Sequence, residues 1–168
     1  MSLATHAIIG AATARVLAFN PILVVVVAFF SHFILDAIPH WDYKLKSQIE
    51  IDQPENGVSM TFGRNFVFDL IKIGFDFWLG LGLVFFIFFI NQEGNGPLII
   101  LGALAGTLPD FLQFINGKIK NKPKPLIWFQ QVHNWSHTKW RLDGRPIIGI
   151  ASQVVFVLIV LSLVYLVI

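Results

Sequence analysis

The sequence predicts an all-α fold: a polytopic transmembrane bundle of about five helices, with an interfacial amphipathic segment on the cytoplasmic side. Three observations carry that expectation. The 168 residues are 55% hydrophobic with a mean hydropathy of +0.70, too apolar for an ordinary soluble domain of this length. Long apolar runs alternate with short polar segments, and the lysines and arginines are concentrated in two of those segments. With 17 Phe and no long polar stretch, residues 1–168 read as one integral-membrane domain without internal repeats.

The first helix is expected over residues 3–19, where Ala7, Gly10, Ala11, Ala14 and Ala18 suit close approach of a neighbouring helix. Pro21 opens the second, which runs over 21–37 and stops before Pro39, because the residue preceding a proline disfavours helical dihedrals. The third is expected over 65–90 and the fourth over 97–116, with Gly102 and Gly106 in GxxxG spacing. Residues 126–141 carry Trp128, Trp135 and Trp140 between basic ends, the pattern of an amphipathic element lying in the headgroup layer. The fifth span is expected over 146–168. At ~1.5 Å per residue the second is just long enough to cross a ~30 Å hydrocarbon core, and the third has length to spare.

Lysine and arginine set the orientation. Lys44, Lys46 and Arg64 lie in one loop; Lys118, Lys120, Lys122, Lys124, Lys139, Arg141 and Arg145 lie in another. The turn over 91–96 has none. By the positive-inside rule both long loops are cytoplasmic, as is the N-terminus if the first helix spans, although Arg15 then falls near the outer end. Met1-Ser2-Leu3-Ala4-Thr5-His6 lacks a basic leader region, so no cleaved signal peptide is expected. The expected location is the inner membrane of the cell.

This topology brings the polar residues to one depth. His6, His32, Asp36, Asp76, Asp110, His133 and His137 all fall at or near the inner ends of their segments. Ionisable groups in lipid are costly, roughly 2.5–3.5 kcal/mol per Asp at mid-helix, so they normally face an interior, a partner or a cavity. His32 and Asp36 are four residues apart and share a helix face, a natural clamp for one cation. His40 and Asp42, beyond Pro39, can complete the shell or orient a ligand. His133 and His137 repeat the four-residue spacing, as in helical HxxxH zinc motifs, but without the Glu of the zincins. Asp76, flanked by Phe75 and Phe77, reads as a ligand or base, whereas Asp69 is explained by pairing with Lys72. Asp110 follows Pro109, where a kinked helix frees backbone groups and lines a cavity. Lys139, Arg141 and Arg145 are candidates to hold a substrate phosphate or carboxylate.

Other chemistries are excluded or unsupported. There is no Cys, hence no thiolate metal site or disulfide. No Walker loop, Rossmann fingerprint or GxSxG elbow occurs, and nothing points to nucleic acid.

Thr5-His6 with Gly10, the block Ser31-His32-x-x-x-Asp36-x-x-Pro39-His40-x-Asp42, Pro109-Asp110 and His133-x-x-x-His137 together resemble the bacterial family of membrane-bound metal-dependent hydrolases that includes YdjM and YbcI. The likeness spans nearly the whole chain, and the SHxxxDxxPHxD block is its most specific part. It implies that His6, His32, Asp36, Asp110 and the late histidines are metal ligands, and it implies hydrolysis without naming a substrate. A more distant similarity to zinc-dependent phospholipase C rests on a shared helical character and His/Asp sites.

The leading expectation is therefore a membrane-embedded hydrolase. It would bind one or two divalent ions, zinc first and manganese or iron next, and act on an ester or phosphoester, of a lipid among others. Asp36, Asp76, His40 and Asp42 are its candidate catalytic groups, with membrane lipids its partners. The rival readings are a divalent-cation transporter using the same ligands and a non-catalytic protein with a structural metal. The transporter would need polar groups in the outer halves of the spans, which are uninterruptedly apolar over 21–30 and 83–90.

Overall fold

The structure, a computed structural model, describes residues 1–49, 59–90, 95–119, 121–140, 142 and 144–167. Among them lie six α-helices and one two-stranded β pair. Three of the helices are long and apolar enough to cross a membrane: Arg64–Phe89, Gly96–Lys118 and Pro146–Leu166.

The innermost helix is α1, Leu3–Val16, opened by Ser2, whose hydroxyl accepts from the Thr5 amide at 3.3 Å. It departs from the expected span over 3–19. Its 14 residues reach about 21 Å at ~1.5 Å each, short of the ~30 Å core. The chain turns early because Asn20 already caps the next helix, accepting from the amides of Ile22 and Leu23 at 3.0 and 3.3 Å, with Pro21 in the first turn. Nearly every residue of α1 is buried, so it is a central core helix rather than a lipid-facing one.

That centre is made of small residues. A Cβ on Gly10 would collide with the Gly102 carbonyl, one on Gly102 with the Gly10 carbonyl, and one on Gly106 with the carbonyl of His6. The GxxxG pair thus lets the backbones of α1 and α4 touch, as such spacings do in membrane helices. Ala7, Ala11 and Ala14 then pack with Val24, Val84, Phe88, Ile99 and Ala103.

Around α1 stand α2 (Pro21–Asp36), α3 (Arg64–Val84), α4 (Gly96–Lys118) and α6 (Pro146–Val167). α2 ends at Asp36, before Pro39, as expected, but at 16 residues it is not one of the three long apolar helices. α3 continues through a π-helical turn, Phe85–Phe89, and α4 runs as one helix through Pro109. The amphipathic segment expected over 126–141 is a shorter helix, α5 (Lys124–Ser136), with Trp128, Trp135 and Trp140 exposed. The β pair, β1 (Gln48–Ile49) against β2 (Ser59–Met60), antiparallel with Gln48 opposite Met60, is an addition to the all-α expectation. Two residues a strand is too short to leave a periodic signal.

Candidate metal centre

Asp36 occupies the C-terminal end of α2 with 0% exposure, and four imidazoles converge on it. Its Oδ2 lies 3.1 Å from His32 Nε2, 3.2 Å from His137 Nε2 and 3.6 Å from His133 Nε2. Its Oδ1 lies 3.3 Å from His6 Nε2. Asp110 joins from α4, with Oδ1 3.5 Å from His133 Nε2 and 3.6 Å from His32 Nε2. His32 and His133 face each other through their Nε2 atoms at 3.1 Å. His6 stacks on His32 with ring centroids 3.8 Å apart.

These distances suit a shared cation. Zinc takes nitrogen at about 2.0–2.1 Å and oxygen at about 2.0–2.2 Å, so the edge of a tetrahedral shell is about 3.3 Å. The separations of His32 and His133 from each other and from Asp36 and Asp110 fall on either side of that length, at 3.1–3.6 Å. Burial supports the same conclusion, since Asp36 Oδ2 and both ring nitrogens of His6 are buried without a hydrogen-bond partner. Such orphans are costly unless something positive accepts their lone pairs. Among the described residues, donors within 4.8 Å of one another form four sets: His6, His32 and Asp36; His32, Asp110 and His133; Asp36, His133 and His137; and His40, Asp42 and His137.

Local structure fixes each donor. His32 Nδ1 donates to the Gly106 carbonyl at 3.0 Å, which leaves Nε2 to the centre, the outer-sphere arrangement common to metal-binding histidines. His133 sits in α5, whereas His137 is one residue past its end with extended backbone. The expected helical HxxxH therefore reaches Asp36 from a helix and a loop rather than from two successive turns. Backbone bonds from Thr138 N to the Asp36 carbonyl at 2.8 Å and from Leu142 N to the His40 carbonyl at 3.1 Å clip that loop to the 36–42 segment. His40 donates from Nδ1 to the Ile38 carbonyl at 2.6 Å and lies 3.0 Å from Asp42 Oδ2 through Nε2.

Two polar networks have no counterpart in the sequence-based expectations. Asn116 Nδ2 donates to Gln130 Oε1 at 2.9 Å and Gln130 Nε2 to Asn134 Oδ1 at 2.8 Å, tying α5 to α4 beside His133. Gln153 of α6 accepts from Ser2 N and Thr5 Oγ1 at 3.1 and 3.2 Å and donates to the Trp41 carbonyl at 2.9 Å. The signal available is the presence of amides in apolar helices, above all Gln153 in the most hydrophobic one.

Asp76 does not join the cluster. Its Oδ2 accepts from Leu3 N at 2.7 Å and its Oδ1 from Ala4 N at 3.1 Å, so it caps α1, whose first amides have no partner within the helix. Asp76 belongs to none of the donor sets found among the described residues. Asp69 accepts from Ser47 N at 2.7 Å and pairs with Lys72 at 3.2 Å. Lys139 and Arg145 are exposed, and Arg141 lies outside the described residues.

The charge balance at the rim follows from burial and neighbours. The Met1 ammonium lies 3.2 Å from Asp36 Oδ1 and 2.8 Å from Asp42 Oδ1. Burial works to raise Asp42, but the His40 hydrogen bond and that ammonium hold its carboxyl well below the usual carboxylate range. Burial pushes the His137 imidazole down to about 4, so it is a neutral donor at physiological pH.

Beside the cluster opens a cavity of about 980 Å³. Its lining includes the polar Asp42, Lys44, Asp110 and His137 together with Leu70, Ile73 and Phe77 of α3 and Leu104, Leu108 and Phe111 of α4. Neither Lys139 nor Arg145 lines it, so the basic grip expected from them is not formed there.

No protein-family description, curated protein or solved structure matches this chain.

Proposed function

We propose that this chain is a membrane-embedded, metal-dependent hydrolase acting on an ester or phosphoester. The observation that carries the reading is the meeting of His6, His32, Asp36, Asp110, His133 and His137, drawn from four helices and a loop, with Asp110 and His137 lining a cavity of about 980 Å³. His32, Asp110 and His133 would hold one divalent ion with a position left open, and Asp36 with His6 or His137 would complete its shell or help hold a second. The imidazole-rich donor set favours zinc, with manganese or iron also suited. Such an ion supplies Lewis acidity and lowers the pKa of a coordinated water.

The chain's own groups do the rest. Asp42, oriented by His40 and lining the cavity, stays ionised at the rim, where it would accept a hydrogen bond from a substrate or a water and orient it. The apolar walls exclude water from the scissile bond. Lysine and arginine flank the site side of the long apolar helices, which supports a cytoplasmic placement in the inner membrane. The resemblance to the YdjM-like hydrolases rests on the same residues. Transport is the weaker reading, because the donors occupy one end of the bundle and the far halves of α2 and α3 offer no polar stepping stones.

The test is elemental analysis of purified protein beside His32→Ala and His133→Ala, followed by a screen of carboxyl and phosphate esters with and without chelator. Stoichiometric metal lost in both variants, with chelator-sensitive turnover in the wild type, is the expected result. Equal metal content in all three proteins, or turnover indifferent to chelator, overturns it.

A further inference from the structure

The cavity is lined both by members of the donor cluster and by apolar side chains, and this combination bears on what kind of molecule fits it. Asp110 and His137 of the donor cluster line it together with apolar side chains from α3 and α4, among which Thr107 and Gln113 also stand on α4. Those two helices are both long and apolar enough to be spans, and both lean on α1 more than on each other. Leu104, Leu108 and Phe111 face the cavity and are nevertheless 44%, 38% and 57% exposed. From Leu70 to Phe77 on α3, and from Leu104 to Phe111 on α4, the apolar trough runs about 10 Å at ~1.5 Å per residue. Apolar side chains that line the cavity and are also open at the surface of a long apolar helix suit a ligand with an apolar portion, oriented by a few polar groups.

We infer that the cleft between α3 and α4 admits a diacyl phospholipid sideways from the bilayer, with its ester linkages at Asp110 and His137. The inference rests on the hydrolase reading for what happens next, but the binding itself does not need turnover. Only the proximal part of an acyl chain has to lie in the trough, because the remainder stays among its neighbours in the membrane. The acyl chain therefore loses little lipid contact on entering, and the polar cluster selects for the linkage region. Gly74 sits in the wall with nothing within 4 Å of an added Cβ, so the cleft has room there that a large side chain would fill without displacing backbone.

The test uses full-length protein reconstituted in phosphatidylethanolamine and phosphatidylglycerol vesicles. A trace of phosphatidylglycerol carries a photoactivatable diazirine near the ester end of one acyl chain. Adducts are mapped by mass spectrometry. They are expected to concentrate on Ile73, Phe77, Leu104 and Leu108 over Leu158 and Ile159 of α6, and Gly74→Trp should reduce them about tenfold while metal content stays at the wild-type level. Leu108→Trp serves as a second plug should Gly74→Trp not fold. Even labelling of α3, α4 and α6, or labelling indifferent to both plugs, overturns the inference. So does protein–protein cross-linking across the cleft with no lipid adduct, since a second copy would then be the occupant. Lipid held in the cleft without turnover supports this inference and counts against hydrolysis alone.

Discussion

His32 Nδ1 lies 3.0 Å from the carbonyl oxygen of Gly106, and this one bond settles which nitrogen of His32 faces Asp36, Asp110 and His133. The carbonyl can only accept, so Nδ1 carries the proton and Nε2 presents its lone pair to the centre. Gly106 is also where α4 comes close enough to α1 that a Cβ would strike the His6 carbonyl. The packing contact and the ligand orientation are thus the same few atoms.

Removing that donor should empty the centre. His32→Ala is expected to weaken metal binding by more than the 10–100-fold that loss of an outer-sphere partner brings, so that purified protein carries little metal. Competition with a chromogenic chelator measures it. Retention of wild-type affinity would place the ion elsewhere.

Asp76 makes the opposite prediction. Asp76→Ala removes the cap on α1 and should lower stability by about 1–2 kcal/mol, seen as a lower midpoint of thermal unfolding in detergent. Metal bound per folded molecule should not change. A variant that folds normally but lacks metal would restore Asp76 to the ligand set.

Gln130 is 1% exposed and links Asn116 to Asn134. Gln130→Leu takes an acceptor from the buried Asn116 amide, a loss of about 1–3 kcal/mol. It also loosens α5 where it carries His133, so metal affinity should fall about tenfold. Calorimetric titration with zinc reads the second effect separately from the first.

Metal-free protein should lose stability in acid through His137. Its pKa is about 4 in the fold against 6.5 for an ordinary histidine, so the folded state favours the neutral ring. That contribution is fully present above pH 6.5 and is lost as pH falls toward 4, at most about 3 kcal/mol. Unfolding midpoints of chelated wild type and His137→Asn across this window are the measure. Parallel curves would deny His137 the role.

The clustered residues are legible because they interrupt apolar runs. A His or Asp in an apolar run is expensive, and His32, Asp36 and Asp110 stand out for that reason. Asp76 stands out equally and serves as a cap, since cost alone does not say which positive partner offsets it: a cation and a helix N-terminus give the same signal. The span expected over 3–19 exceeds α1 because apolar residues continue through Leu17, Ala18 and Phe19, whereas the boundary is set by Asn20 and Pro21, which start α2. The His133–His137 spacing suggests two turns of one helix, but α5 ends at Ser136, and loop hydrogen bonds between remote segments bring His137 in. Such bonds, like the Gln153 and Gln130 networks, depend on which helices become neighbours, and no local pattern encodes that.

The central place of α1 constrains the order of assembly. This helix is synthesised before every element that later encloses it, yet it is flanked by α2, α3, α4 and α6 and is too short to rest stably across a bilayer by itself. During translation it must wait, exposed or loosely held, until α4 supplies the glycines that receive it and α6 closes the last side. His6 travels with it, so the His/Asp cluster reaches its final form only after α5 and the stretch bearing His137 have emerged.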